Sequence, residues 1–337
     1  MVPLVLSLLL QAAAAVPSFG DAATPLFNRD DHFIRGMMIA VYTPMKDGGL
    51  EIDLDVLPKY AKYLADRNIT NILPAGSNGE SLSLSVAERK KLAEAWAVAA
   101  KPYNQKVYMH IGSESLVDAI ELAKHSAATP GIAGLVAMTP VYFKPTVETL
   151  VDFLAQVAAA APKLPFWFYH FPNDTGVLRG EAHAFLEHAD ATGKIPTLMG
   201  IKFTDYNLMD FQLCLQVGHP GKYNMLYGRD EMAVSALLLG ADAAVSSTIG
   251  YSPTLRNAVT LWGSGKHAEA IVQQKKNAVL CNFFGDDKYS KVNVQKNIMK
   301  MVGMDVGPSR LPKFDLDAAD INDLEKQLRA LDLLDAK

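Results

Sequence analysis

The chain has 337 residues, 50% hydrophobic and 20% charged, with a formal net charge of −4. That balance, without a basic block, argues against a nucleic-acid partner. Its two cysteines, Cys214 and Cys281, make neither a disulfide framework nor a zinc pattern, and its eight histidines form no His-x-His pair and no HExxH, so no metal site is expected.

Residues 1–20 hold the apolar run Leu4-Val5-Leu6-Ser7-Leu8-Leu9-Leu10, then alanines and Val16-Pro17-Ser18. This is too short for a membrane span. Two readings stay open: a signal-peptide core with small-residue cleavage sites, which places the protein in a secretory or lysosomal compartment, or an apolar extension. Gly36–Tyr42 follows as a buried-strand pattern, and Lys46-Asp47-Gly48-Gly49 as a turn. Ile52–Ala65 carries apolar residues at helical spacing. Strand Asn71–Ala75 runs into Gly76-Ser77-Asn78-Gly79-Glu80, and Ser85 with Glu88 forms a capping box for the next helix.

The alternation continues with strands Val107–His110, Gly134–Met138 and Phe166–Tyr169, each followed by a helical pattern: Leu116–Ala128, Val147–Ala160 and Glu181–His188. Next comes Met199-Gly200-Ile201-Lys202-Phe203-Thr204-Asp205, a short apolar segment with one lysine at its C-terminal end, and a helix over Leu208–Gln216. Strand Tyr223–Tyr227 precedes helix Glu231–Leu239, and Ala243–Ser247 is the last strand. About eight strand–helix units over roughly 230 residues give an α/β protein, a (β/α)8 TIM barrel with additional C-terminal helices. The barrel is expected over 33–265 and a helical extension over 266–337, in which His267–Lys300, a long helical tail with Val272, Val279, Phe283 and Phe284 apolar, and Asp317–Ala336 form helices packed outside the barrel.

Chemistry in such a barrel sits at the C-terminal ends of the strands. There the chain places Ser77 and Asn78, Thr139-Pro140-Val141-Tyr142, Tyr169-His170, Lys202 with Thr204, Gly228-Arg229-Asp230-Glu231, and Ser246-Ser247-Thr248. Lys202 alone admits two readings, a snorkelling strand-end lysine or a desolvated amine able to attack a ketone. Asp230 and Glu231 read equally as acids at a helix start.

Gly76-Ser77-Asn78-Gly79-Glu80, Tyr169-His170-Phe171-Pro172, Gly200-Ile201-Lys202-Phe203-Thr204-Asp205 and Gly228-x-Asp230-Glu231 resemble, in order, the pyruvate-dependent class I aldolase superfamily of dihydrodipicolinate synthases and N-acetylneuraminate lyases. The flanks Ile195-Pro196-Thr197 and Gly307-Pro308-x-Arg310-Leu311-Pro312 look like those of the animal lyase branch. The resemblance implies retro-aldol cleavage of a sugar acid through a Schiff base on Lys202, with Tyr169 as proton shuttle and no cofactor. It implies substrate binding by Ser77 and Asn78 (carboxylate) and by Thr204, Gly228, Asp230, Glu231 and Ser247 (sugar). It further implies a homotetramer, a cytoplasmic location, no membrane partner, and Tyr142 reaching a neighbouring subunit's site, a residue the lyases do not always keep. Asn78 stands where relatives carry a second hydroxyl, His170 is expected to orient structure, and Arg229 receives no role. No arginine occupies Asn173-Asp174-Thr175-Gly176, which disfavours aspartate semialdehyde as substrate. Two alternatives remain: an aldolase for a small 2-oxo acid such as 4-hydroxy-2-oxoglutarate, suggested by the Ser77-Asn78 variant, and a non-catalytic sialic-acid-binding barrel.

Overall fold

The computed structural model describes residues 27–284, 291–313 and 316–336, so the leader at 1–20 lies outside the described residues. Among these, eight parallel strands close into a barrel: β1 (Gly36–Ala40), β2 (Asn71–Leu73), β3 (Lys106–His110), β4 (Ile132–Met138), β5 (Phe166–His170), β6 (Leu198–Phe203), β7 (Asn224–Tyr227) and β8 (Ala243–Ser246). Each pairs with its sequence neighbours, and β1 closes the ring on β8. The helices between them are α1 (Leu57–Ala65), α2 (Val86–Ala100), α3 (Leu116–Ala128), α4 (Val147–Ala159), α5 (Ala182–Thr192), α6 (Leu208–Cys214) and α7 (Ala233–Leu239). Beyond β8 follow α8 (Pro253–Gly263), α9 (His267–Asn282), α10 (Lys291–Met301) and α11 (Ala318–Ala330). None is long and apolar enough to cross a membrane.

The strands are apolar on both faces because both are buried. Met38, Leu73, Tyr108, Val136, Trp167, Leu226 and Val245 fill the interior. Ile39, Ile72, Val107, Leu135, Phe168, Ile201 and Met225 pack outward against the helices. The period of two puts Tyr169 and Lys202, register partners on β5 and β6, on the inside, while His170 faces outward against Phe168 and Phe203. At the opposite end Arg29 bonds the carbonyls of Leu198 (2.7 Å) and Lys222 (3.2 Å), and the Asn224 side chain bonds both backbone groups of Ile34.

The expected capping box is present: Ser85 and Glu88 exchange bonds at the start of α2. Glu88 also takes a two-pronged bond from Arg310, which reaches the carbonyls of Gly49 and Ser83 as well and so fastens the C-terminal segment to the barrel. Two expectations are corrected. The helix expected from Ile52 begins as a 3-10 turn, Leu54–Val56, before α1, whose first turn holds a proline. Glu231 lies in a 3-10 turn, Asp230–Met232, with α7 starting only at Ala233. The expected helical tail is made of two helices, α9 and α10, the first ending at Asn282, where Phe284 turns in against Tyr251. Val272 is 54% exposed and Val279 48%, because the inner face of α9 carries Gln274 and Asn277 instead. Those amides satisfy polar groups at the barrel rim: Gln274 bonds Asp230 O and Val234 N–H, and Asn277 bonds the hydroxyls of Thr248 and Thr254.

β6 can lie against β7 only because residue 200 is glycine; a Cβ there would run into the Asn224 backbone. Gly200→Ala should therefore cost about 2 kcal/mol or more. Gly263→Ala, with open space around the new methyl group, should change stability by less than about 1 kcal/mol. Denaturant unfolding of the two variants side by side checks this, and equal midpoints would refute the close-approach argument.

Candidate active site

The C-terminal ends of the strands surround a cavity of about 520 Å³ lined by Ser77, Asn78, Tyr169, Lys202, Thr204, Gly228, Asp230, Glu231 and Ser247, among others. The expected residues thus converge on one mouth, with one exception. Tyr142 is 79% exposed on the outer surface, edge-on to Phe143, and is not among the residues lining the cavity.

Lys202 is 3% exposed, and its Nζ lies 3.7 Å from the centroid of the Tyr169 ring. Burial lowers its pKa from 10.5 to about 7, a shift the negative charge of Asp230 opposes. It forms no ion pair among the described residues. A snorkelling lysine would keep its charge in water; this one is an amine substantially neutral near pH 7.

The Tyr169 hydroxyl is 3.0 Å from Ser77 Oγ, and its ring stacks on Phe171. Burial raises its pKa to about 12, against the Ser77 hydrogen bond, so it is a phenol at neutral pH. It can pass a proton only by receiving one as it gives one, and Ser77 is placed for that exchange. After β2 the chain turns tightly: Glu80 N–H bonds Ser77 O and Ser81 N–H bonds Gly76 O. No bond among the described residues uses the backbone N–H of Ser77 or Asn78. These are donors for an anion, and the close packing of Gly79 on Ala75 makes the turn possible. The Asn78 amide reaches back to Ala40 O at 3.4 Å, so it braces the turn where relatives offer a hydroxyl.

Beneath the turn, buried Glu80 pairs with Lys296 of α10 at 2.9 Å, and its other oxygen accepts from Arg310 N–H. Lys296 also bonds the carbonyls of Thr43 and Pro308. The anion-binding turn is thus held by the C-terminal segment, and removing one partner of such a pair typically costs about 3–5 kcal/mol.

Across the cavity, Asp230 Oδ2 accepts from Ser246 Oγ (2.8 Å), Ser247 N–H (3.1 Å), Ser247 Oγ (3.3 Å) and Thr248 N–H (2.8 Å), and no donor among the described residues reaches Oδ1. Burial nevertheless raises its pKa above the usual carboxylate value. Glu231 accepts from the Tyr206 hydroxyl at 2.5 Å. Thr204 Oγ1 is buried, meets no hydrogen-bond partner in good geometry among the described residues, and lies close over Gly228, where any side chain would collide with it. Both acids therefore sit where helix-start acids belong and also line the cavity.

His170 is buried on the outer side of β5. Burial lowers its pKa to about 4, so it stays neutral, in keeping with an orienting role. Several lining residues escaped the sequence reading. Phe171, Tyr206 and Arg229 form one wall, and α10 brings Gln295, which bonds Ser247 Oγ and accepts from the Tyr42 hydroxyl. Arg229 was visible inside the Gly228-x-Asp230-Glu231 stretch; nothing in sequence pointed to Gln295, because the tail lies outside the strand-end rule.

The Dihydrodipicolinate synthetase family profile matches residues 33–331. The chain belongs to that family. Among its curated members, the N-acetylneuraminate lyase of Homo sapiens is 37% identical, the match covering 89% of this chain and 93% of that one. Among solved structures, the N-acetylneuraminate lyase of Proteus mirabilis superposes with a TM-score of 0.82 at 31% identity, covering 90% of this chain and all (100%) of that one. The sialic acid aldolase of Aliivibrio salmonicida gives 0.82 at 30% identity, covering 90% and 98%. The closed eight-stranded barrel, which here carries additional C-terminal helices, matches the (β/α)8 TIM barrel of that family.

With a pKa near 7, the free-amine fraction of Lys202 climbs from roughly a tenth at pH 6 to nine-tenths at pH 8. The rate constant for acetylation of Lys202 by acetic anhydride, read by peptide mass spectrometry, should rise along that curve. Asp230→Asn removes a charge that favours the ammonium form, so its midpoint should move to lower pH. An unchanged or higher midpoint would contradict the electrostatic account.

Proposed function

We propose that this protein is a class I aldolase that cleaves N-acetylneuraminate to N-acetylmannosamine and pyruvate. The observation that carries the reading is the neutral-prone amine of Lys202 against the Tyr169 ring, with the Tyr169 hydroxyl on Ser77. The free N–H groups of Ser77 and Asn78 take the substrate carboxylate. Lys202 adds to the C2 ketone, and loss of water gives a protonated imine. The C3–C4 bond then breaks, its electron pair moving toward the imine nitrogen to leave an enamine. The C4 hydroxyl gives its proton to the Tyr169 oxygen while Tyr169 passes its own toward Ser77 and the substrate carboxylate. N-acetylmannosamine departs, the enamine takes a proton at C3 by the reverse path, and water releases pyruvate and Lys202. Asp230, Glu231, Thr204 and Ser247 bind the sugar hydroxyls. The family resemblance also underlies a proposed homotetramer in which the exposed Tyr142 reaches a neighbouring site.

Borohydride reduction in the presence of pyruvate should trap an adduct on the peptide carrying Lys202, and Lys202→Ala should abolish both trapping and N-acetylmannosamine release. Tyr169→Phe should lower kcat roughly 10²- to 10⁴-fold while pyruvate is still trapped. Absence of an adduct overturns the Schiff-base mechanism. An adduct without N-acetylmannosamine release points instead to the small 2-oxo acid.

A further inference from the structure

Arg229 is 8% exposed and lines the cavity, held against the rings of Tyr206 (4.3 Å from its Cζ to the centroid) and Phe171 (5.2 Å). Its Nε and one terminal nitrogen are buried with no acceptor, and it forms no ion pair among the described residues. The neighbouring acids do not remedy this. Glu231 is engaged by Tyr206, Asp230 is turned to the end of β8, and Asp174, though its exposed carboxyl feels the Arg229 charge, neither hydrogen-bonds nor ion-pairs with it among the described residues. Buried N–H donors left without acceptors are costly, and in a ligand cavity a ligand oxygen relieves that cost.

The wall thus offers two kinds of group, acceptors on Asp230 and Glu231 and donors on Arg229. In an N-acylated sugar acid, the hydroxyls and the amide N–H can serve the acids. On the half remote from the pyruvate unit, the acyl carbonyl is a strong acceptor with no proton to give. We propose that Arg229 donates to this carbonyl and is the residue by which the site selects N-acylated sugar acids. The inference rests on the sugar-acid reading above and adds a specificity determinant to it.

The test compares kcat/KM for N-acetylneuraminate with that for its analogue bearing a hydroxyl in place of the acetamido group, with 4-hydroxy-2-oxoglutarate as a third substrate. The unmodified enzyme should favour the acylated sugar acid on the order of 10- to 100-fold. Arg229→Met should collapse that preference to within about 3-fold, chiefly through KM. Arg229→Gln, which keeps a donor and sheds the charge, should retain an intermediate preference. Borohydride trapping of pyruvate on Lys202 reports whether each variant is folded. A variant that traps pyruvate and keeps the original preference overturns the assignment, as does one that loses both sugar acids in parallel. An unmodified enzyme that traps pyruvate but turns over only the short dicarboxylate overturns the sugar-acid reading and the acyl contact with it.

Discussion

A lysine amine placed inside a barrel loses its hydration, and among the described residues no carboxylate in contact replaces it. What Lys202 has is the face of Tyr169 at 3.7 Å and the more distant charge of Asp230. Desolvation therefore wins, and the amine is available near neutral pH. Much of the surrounding structure follows from that constraint. Gly200 lets β6 lie close to β7, and the β5–β6 register sets Tyr169 beside the amine. Asp230 is held by four donors at the end of β8, so its charge acts from a fixed position.

The second support comes from the C-terminal helices, which do more than cover the barrel. Lys296 secures Glu80 under the anion-binding turn, Gln274 secures the turn bearing Asp230, and Gln295 secures Ser247. In each case a polar side chain from the tail bonds a polar group at the mouth. The pattern explains why the inner face of α9 is polar while two of its valines face solvent.

Much of the site was legible because strand ends in a barrel converge. Lys202, Tyr169, Ser77, Asn78, Thr204, Asp230, Glu231 and Ser247 were placed by that rule and by their motifs, and all line the cavity. Gln295 was not legible, since its helix reaches the mouth by packing and carries no strand-end signature. Tyr142 met the strand-end rule yet lies on the outer surface, because the chain after β4 swings outward, where Val141 and Tyr142 bond Glu114 through their backbone N–H groups.

The sequence by itself determined the alternation of strands and helices, since apolar runs and helical periodicity are local properties of the chain. It also determined which residue types stand at the strand ends. Tertiary structure decided whether Lys202 snorkels or is buried, which amides of the tail secure the mouth, and that two Arg229 nitrogens meet no acceptor among the described residues. Those outcomes depend on desolvation and on contacts between segments far apart in the chain, and neither is written in any local pattern.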